Sequence, residues 1–285
     1  MTKNTMMSKE NMLKPSDLAA CLLRVREICP LVHHITNYVT VNDCANMTLA
    51  VGASPVMADD PAEVADMCAL AQALVLNIGT LNARTVEAMM LAGRAANTRG
   101  IPVILDPVGC GATPLREKTV RKILKEIKIA VIRGNVSEIA AVAGQEAHTK
   151  GVDAAAEDAD ADTAALARSV SETFHCVTAI SGRVDIVSDG HRVAAVRNGC
   201  PRMSRMTGTG CMETSVLGAF CGANPGNIWQ AAAAGMIFMG LCGDMAEKAA
   251  GAVGLGSFRN ALMDAVGNMT AEGLAEGANY DAWEI

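Results

Sequence analysis

The sequence predicts an α/β protein with a mostly parallel sheet covered by helices on both faces. Short apolar runs at 54–58, 73–78, 102–105, 130–132 and 176–180 alternate with amphipathic helical segments, the pattern of strands joined by crossover helices. The composition agrees, because 51% of the 285 residues are hydrophobic but only 3% are aromatic. The core must then be filled by aliphatic side chains and 17 Met, while 26 Gly suit tight turns and helices lying close on a sheet.

Taken in order, the polar stretch at 1–13 reads as a flexible leader with no apolar signal core, and 14–285 as one domain. A first helix is expected from Ser16 as N-cap, through Leu22, Leu23, Val25 and Ile28, to a stop at Pro30. LVHHITN should be extended, and a second helix should run from Tyr38 to Leu49, with Gly52 placed as a C-cap. After the strand at 54–58, Asp60, Pro61 and Glu63 read as cap, first helical residue and capping-box partner. The acidic, Ala-rich stretch at 147–162 reads as a solvated loop leading into a helix. Asp189-Gly190 between two alternating runs marks a β-hairpin at one edge of the sheet. Beyond Thr207 the pattern is helical throughout, at 211–222, 226–249 and 256–275, with no further strand.

Several function classes are excluded or disfavoured. Net charge is −6 and no basic stripe with interleaved aromatics occurs, so a nucleic-acid partner is not expected. None of the 10 Cys forms a CxxC pair, which fits neither a zinc ribbon nor a secreted disulfide framework and points to free thiols in the cytoplasm. The apolar run 229–243 is broken by Gly and ends at Asp244, too short for a membrane span.

Ligands of open α/β sheets bind beyond the carboxyl ends of the strands, so the residues there carry the chemistry. Asp106 ends one strand before a Gly-rich turn and could hold Mg²⁺ or its waters, or merely cap the turn. Arg133 ends the next and suits phosphate, while Asn135 and Glu138 behind it form a capping box on local grounds. Ser181 ends a third. Thr207-Gly208-Thr209-Gly210-Cys211 opens an apolar helix, and its backbone N–H groups at Gly208, Thr209, Gly210 and Cys211 can form an anion hole. It lacks the GK[ST] of a P-loop. A helix N-terminus lowers a thiol pKa, which singles out Cys211 among the ten cysteines. His33 and His34, adjacent on a strand, point to opposite faces and cannot easily share a metal. Met57, beside Pro55 at a strand end, is placed near a ligand.

These segments together resemble the hydroxyethylthiazole kinases, the thiamine-salvage branch of the ribokinase-like kinases. The resemblance rests on HHITNYVTVNDCANMTLAVGASPVMADDPAE, NIGTLN, ILDPVGCGAT, IRGNVSEI, TAISGRVDIVSDG and TGTGC, which appear in order from His34 to the helix beginning at Gly226. It implies a three-layer αβα sandwich, a homotrimer with thiazole pockets between subunits, and transfer of a phosphoryl group from MgATP to the primary hydroxyl of 4-methyl-5-(2-hydroxyethyl)thiazole. By position it implies thiazole contacts at Met57 and Gly208, with Asn37 nearby, and ATP contacts at Arg133 and Ser181. Cys211 falls where related sugar kinases carry an Asp base, and magnesium is expected near Asp106 and Glu138, held through water. Two rivals remain: a ribokinase-like kinase for a pyrimidine or sugar alcohol, and a Cys-dependent acyltransferase or hydrolase using Cys211 with His33 or His34.

Overall fold

The computed structural model describes residues 12–145 and 156–284. Its elements run α1 (Pro15–Ile28), β1 (Leu31–Ile35), α2 (Val41–Val51), β2 (Ser54–Met57), α3 (Val64–Leu70), β3 (Ala73–Asn77), α4 (Ala83–Arg99), β4 (Val103–Asp106), α5 (Pro114–Glu126), β5 (Val131–Asn135), α6 (Val136–Val142), α7 (Ala156–Phe174), β6 (Val177–Ser181), β7 (Asp185–Ser188), β8 (Arg192–Val196), α8 (Thr209–Ala223), α9 (Ile228–Ala250), α10 (Leu255–Asn268), α11 (Ala271–Gly277) and β9 (Tyr280–Glu284). A 3-10 turn at Pro201–Arg205 precedes α8.

One sheet orders its strands β2-β1-β3-β4-β5-β6-β7-β8-β9. The pairings from β2 to β6 are parallel and those from β6 to β9 antiparallel. The period of two along each strand divides the core between the faces. Ala73 and Val75 of β3 pack on one side with α1, α2, α8, α9 and α10. Leu74 and Leu76 pack on the other with residues of α3, α4, α5, α6 and α7. This is the expected α/β arrangement, a mostly parallel sheet between two helical layers.

Several element boundaries depart from the sequence expectation, each for a local reason. Pro15 takes the first helical position of α1, so Lys14 and not Ser16 is the N-cap, and its backbone N–H donates to Asp17 Oδ2 at 2.9 Å. The expected leader also ends sooner, since Leu13 is buried in the core and its carbonyl accepts from the Tyr280 hydroxyl at 2.8 Å. Residues 1–11 of that leader lie outside the described residues. Helix α2 starts at Val41 because 37–40 form a turn, in which Thr40 N–H donates to Asn37 Oδ1 at 3.2 Å. Gly52 is its left-handed C-cap, as expected. Asp60 caps a turn through Ala62 N–H at 2.9 Å, and α3 begins only at Val64. Much of the expected 147–162 loop lies outside the described residues, and its end from Ala156 belongs to α7.

The C-terminal third needs two corrections. The helix expected at 256–275 is two helices, because Thr270 accepts the Gly273 N–H at 2.9 Å and caps a new start at α11. The β7–β8 hairpin is present but is not the edge, because β9 pairs antiparallel with β8 and forms the last strand. Helix α9 spans 23 residues, so the apolar stretch is not too short for a membrane span, contrary to expectation, but 78% of its most apolar window is buried, as a core helix should be.

Candidate active site

Because β3, β4, β5 and β6 are parallel neighbours, their carboxyl ends share one edge of the sheet. There Asn77 stands beside Asp106 and Asn135 beside Ser181. A cleft of about 820 Å³ opens over this edge, lined by Asp106, Arg133, Glu138, Ser181, residues 198–201, Met203, Ser204 and Met206, and the start of α8. A second cavity, of about 510 Å³, lies at the opposite end of the strands against Pro102, Ala130 and Val177, away from every predicted site residue.

Gly208, Thr209, Gly210 and Cys211 form the start of α8, as the anion-hole motif requires. Gly208 is the N-cap at φ 87°, and a Cβ there would fall 2.5 Å from Thr40 Cγ2. Met212 N–H donates to Gly208 O at 2.8 Å, which begins the helical ladder. The N–H groups of Thr209, Gly210 and Cys211 precede that ladder, at the positive end of the helix dipole. The Thr209 hydroxyl lies within hydrogen-bonding distance of Met203 O (2.9 Å) and Met206 O (3.0 Å), tying the preceding segment to the helix.

Cys211 Sγ accepts from Asn37 Nδ2 and Asn77 Nδ2, each at 3.2 Å. Asn77 Nδ2 also donates to Asp106 Oδ2 at 2.8 Å, and Asn37 Nδ2 to Asn77 Oδ1 at 3.0 Å. Thiol, amides and carboxylate are therefore one network. Burial and then the Asp106 carboxylate push the Cys211 thiol up, against hydrogen bonds from Thr40, Asn77 and Asn37. The lowered thiol expected from the helix N-terminus is thus corrected: desolvation outweighs the dipole.

Asp106 is fully buried at the end of β4. Its Oδ2 accepts from Asn77 and, at 2.9 Å, from the Thr214 hydroxyl, while Oδ1 is the buried side-chain oxygen without a hydrogen-bond partner among the described residues. Burial, with Glu138 adding to it, raises the carboxyl to about 6 against the pull of Arg133. Glu138 does both things the sequence allowed. Its Oε2 closes the capping box on Asn135 N–H at 2.9 Å, and its Oε1 accepts Gly109 N–H at 2.8 Å on the turn after β4. That turn is also held by Arg116, which donates to the carbonyls of Ile78, Gly79 and Val108.

Arg133 lines the cleft but is not a free cation. Its Nε and Nη2 donate to Glu213 Oε2 at 2.9 and 2.5 Å, and Nη2 to the Ser181 hydroxyl at 3.0 Å. Glu213, on the second turn of α8, is 4% exposed. Asp185 is buried beside them and accepts Gly182 N–H at 2.8 Å, and burial with the Glu213 carboxylate raises its carboxyl. Burial alone would lower the Arg133 guanidinium, but Glu213, Asp106 and Asp185 reverse the sign and hold it charged.

Sequence reasoning singled out neither Glu213, Asp185, Asn77 nor Arg116. The first had a signal, a carboxylate inside the apolar run of α8, which demands a buried partner. The structure does not bring Met57 to the cleft: it is half-buried at the end of β2, the outermost strand, opposite His34. His33 contacts Ala58 O at 2.7 Å and Cys68 Sγ at 3.3 Å, and His34 contacts Val32 O at 3.0 Å and the Thr48 hydroxyl at 3.5 Å. Their rings point to opposite faces and are spent on the fold; burial lowers both, His34 to about 4.

The geometry agrees with the comparisons to known proteins. The profile of the hydroxyethylthiazole kinase family matches residues 22–272. A hydroxyethylthiazole kinase of Ruminiclostridium cellulolyticum is 53% identical over 86% of this chain and 90% of its own. The solved structure of a hydroxyethylthiazole kinase from Pyrococcus horikoshii OT3 superposes with a TM-score of 0.86 at 36% identity, covering 94% of this chain and 99% of that one. A ribokinase-like superfamily protein of Enterococcus faecalis V583, at 11% identity and a TM-score of 0.64 over 93% of this chain and 98% of its own, shares the fold. A strand-end cleft of this build and a match across nearly the whole chain lead to one conclusion: the chain belongs to the hydroxyethylthiazole kinase family.

Proposed function

We propose that the protein transfers the γ-phosphoryl group of ATP to the primary hydroxyl of 4-methyl-5-(2-hydroxyethyl)thiazole, a step of thiamine salvage in the cytoplasm. The observation that carries this reading is the convergence, at one sheet edge, of the α8 N–H groups with Arg133, Ser181 and Asp106. Phosphoryl transfer asks little covalent chemistry of a protein beyond in-line positioning and charge stabilisation.

Each residue then has a role. The N–H groups of Thr209, Gly210 and Cys211 stabilise charge on the transferred group, as preorganised dipoles that need no reorientation. Arg133 and Ser181 take the nucleotide phosphates, with Glu213 fixing the guanidinium. Cys211, held neutral by burial and the Asp106 carboxylate and positioned by Asn37 and Asn77, accepts a hydrogen bond from the substrate hydroxyl and orients its oxygen. Gly208 contacts the thiazole, and Asn37, buried behind Cys211, supports that side of the cleft.

The residues fit a magnesium ion. Asp106 Oδ1 is a buried carboxylate oxygen with no hydrogen-bond partner among the described residues, and a divalent cation is suited to such an oxygen. Asp106 would hold it, and Glu138, whose two oxygens already accept backbone N–H groups, would hold it through water. When bound, the ion neutralises phosphate charge. Met57 lies away from this chain's cleft, so its thiazole contact belongs to a pocket shared between the copies of a homotrimer. A Cys-dependent acyltransferase loses support, since the hydrogen-bond partners of Cys211 are asparagines and both candidate histidines are engaged elsewhere.

The test is ADP release with MgATP and a panel of thiazole, pyrimidine and sugar alcohols, beside sedimentation of the same preparation. The thiazole alcohol should give the highest kcat/KM and the protein should sediment as a trimer. A pyrimidine or sugar alcohol that turns over faster would overturn the substrate assignment, and thioester hydrolysis without ATP would overturn the reaction class.

A further inference from the structure

The cleft is lined by four carboxylates, Asp106, Glu138, Asp185 and Glu213, and by two guanidinium groups, Arg133 and Arg183. Burial raises Asp106 and Asp185, but Glu138 and Glu213 still offset the two cations, so the lining offers a polyphosphate little net positive charge. Arg133 cannot correct it alone, because Glu213 already takes two of its donors and Ser181 shares one of them. A buried pair of this kind leaves a small net charge at its rim.

Arg183 differs in every respect. It stands on the bend at 182–184 between β6 and β7, two residues beyond Ser181, with its side chain 64% exposed. Its Nη2 donates to Asp160 Oδ2, on α7, at 2.7 Å. The base of the bend is fixed by Gly182 N–H on the buried Asp185, so the backbone holds Arg183 at the rim of the cleft while its side chain can turn. An exposed ion pair contributes only about 0.2–1 kcal/mol, so leaving Asp160 costs little, whereas a phosphate offers the guanidinium a bidentate, doubly charged partner.

We propose that Arg183 is a further ATP-binding residue, which turns from Asp160 into the cleft and clamps the phosphate tail beside the α8 cradle, Asp160 being its resting partner. The proposal rests on the ATP-binding reading of the cleft. It gives α7, which begins within the acidic stretch, a part in nucleotide affinity. In this division of work Arg133 is a rigid wall of the site and Arg183 its moving cation.

The experiment is a two-residue cycle read by calorimetric binding of a non-hydrolysable ATP analogue with Mg²⁺ and by steady-state kinetics. Arg183→Gln should raise the analogue Kd and the KM for ATP about tenfold, the loss of one exposed charge-assisted contact, with the KM for thiazole changed less than about twofold. Arg183→Lys should recover part of that affinity, a rescue that a purely structural role of the bend would not give. Asp160→Asn should tighten the analogue about twofold, and this gain should vanish in the Arg183→Gln background. An ATP affinity unchanged by Arg183→Gln, or an Asp160→Asn effect that persists in the Arg183→Gln background, overturns the proposal. Failure of the ATP reading itself would look different, since the unsubstituted protein would then bind no analogue.

Discussion

Gly210→Ala isolates the placement of Arg133 from the stability of the helix that carries it. Gly210 is the second residue of α8 and has ordinary helical backbone angles, so on propensity alone alanine would be favoured, by up to about 1 kcal/mol. The added Cβ, however, would fall 2.4 Å from Arg133 Nη1 and 3.2 Å from Cζ and Nη2. To regain van der Waals separation the guanidinium must retreat by about 1 Å. An arginine tip usually yields, but this one is held through Nε and Nη2 by Glu213 and through Nη2 by Ser181. Retreat therefore drags the phosphate-binding group out of place. A displacement of that size costs about 100-fold in rate where positioning supplies the catalysis, so kcat/KM for ATP should fall by about 100-fold. Thiazole binding, measured by direct titration, and the melting temperature should stay close to those of the unsubstituted protein. Unchanged ATP kinetics would refute the reasoning, because they would mean that Arg133 is free to move. A large drop in melting temperature would place the damage in the helix.

The other substitutions test single links. Cys211→Ser should slow turnover by about tenfold without abolishing it, because the thiol orients the hydroxyl and is held neutral; single-turnover measurements of phosphorylated thiazole check this. Glu213→Ala leaves a buried, uncompensated guanidinium and should cost about 3–5 kcal/mol in urea unfolding, much more than an exposed pair such as Arg94–Glu126. Asp106, raised to about 6, must lose its proton to hold a cation, so kcat/KM for MgATP should rise with pH through about 6 and then level off, with that limb absent in Asp106→Asn. The same raised carboxyl binds its proton more tightly folded than unfolded. Its contribution to stability is thus present below the unfolded value of 3.8 and lost as pH rises through about 6.

The parallel half of the fold was legible because its inner strands are short apolar runs bounded by turn residues and buried on both faces. Val103–Asp106 and Val131–Asn135 could hardly be read otherwise. What escaped was local structure overridden by a single side chain or by distant pairing. Thr270 breaks one apparent helix by capping the next, a signal present in the sequence but outvoted by the apolar period on either side. Strand β9 carries Tyr280 and Trp283 among acids in only five residues, and its partner β8 lies more than 80 residues earlier. No local window contains that pairing.

At the site, the strand-end rule found Asp106, Arg133 and Ser181, and it applied equally to Asn77, which also ends its strand. Asn77 was passed over because an amide carries no charge to suggest chemistry. Yet it is the group that joins Asp106 to Cys211, through 2.8 and 3.2 Å contacts from one nitrogen. The thiol was misjudged for the complementary reason. A helix N-terminus favours a thiolate only where the sulfur stays hydrated, and here the sulfur is enclosed by two asparagines with a carboxylate behind them. Sequence shows which groups are near a helix end, but the sign of a pKa shift depends on how much water the fold removes. The same removal of water converts Arg133 from an apparent free cation into half of a buried ion pair. A phosphate site built around a neutralised arginine would need its positive charge from elsewhere, from the cation proposed at Asp106 Oδ1 and from Arg183, the rim guanidinium proposed to turn from Asp160.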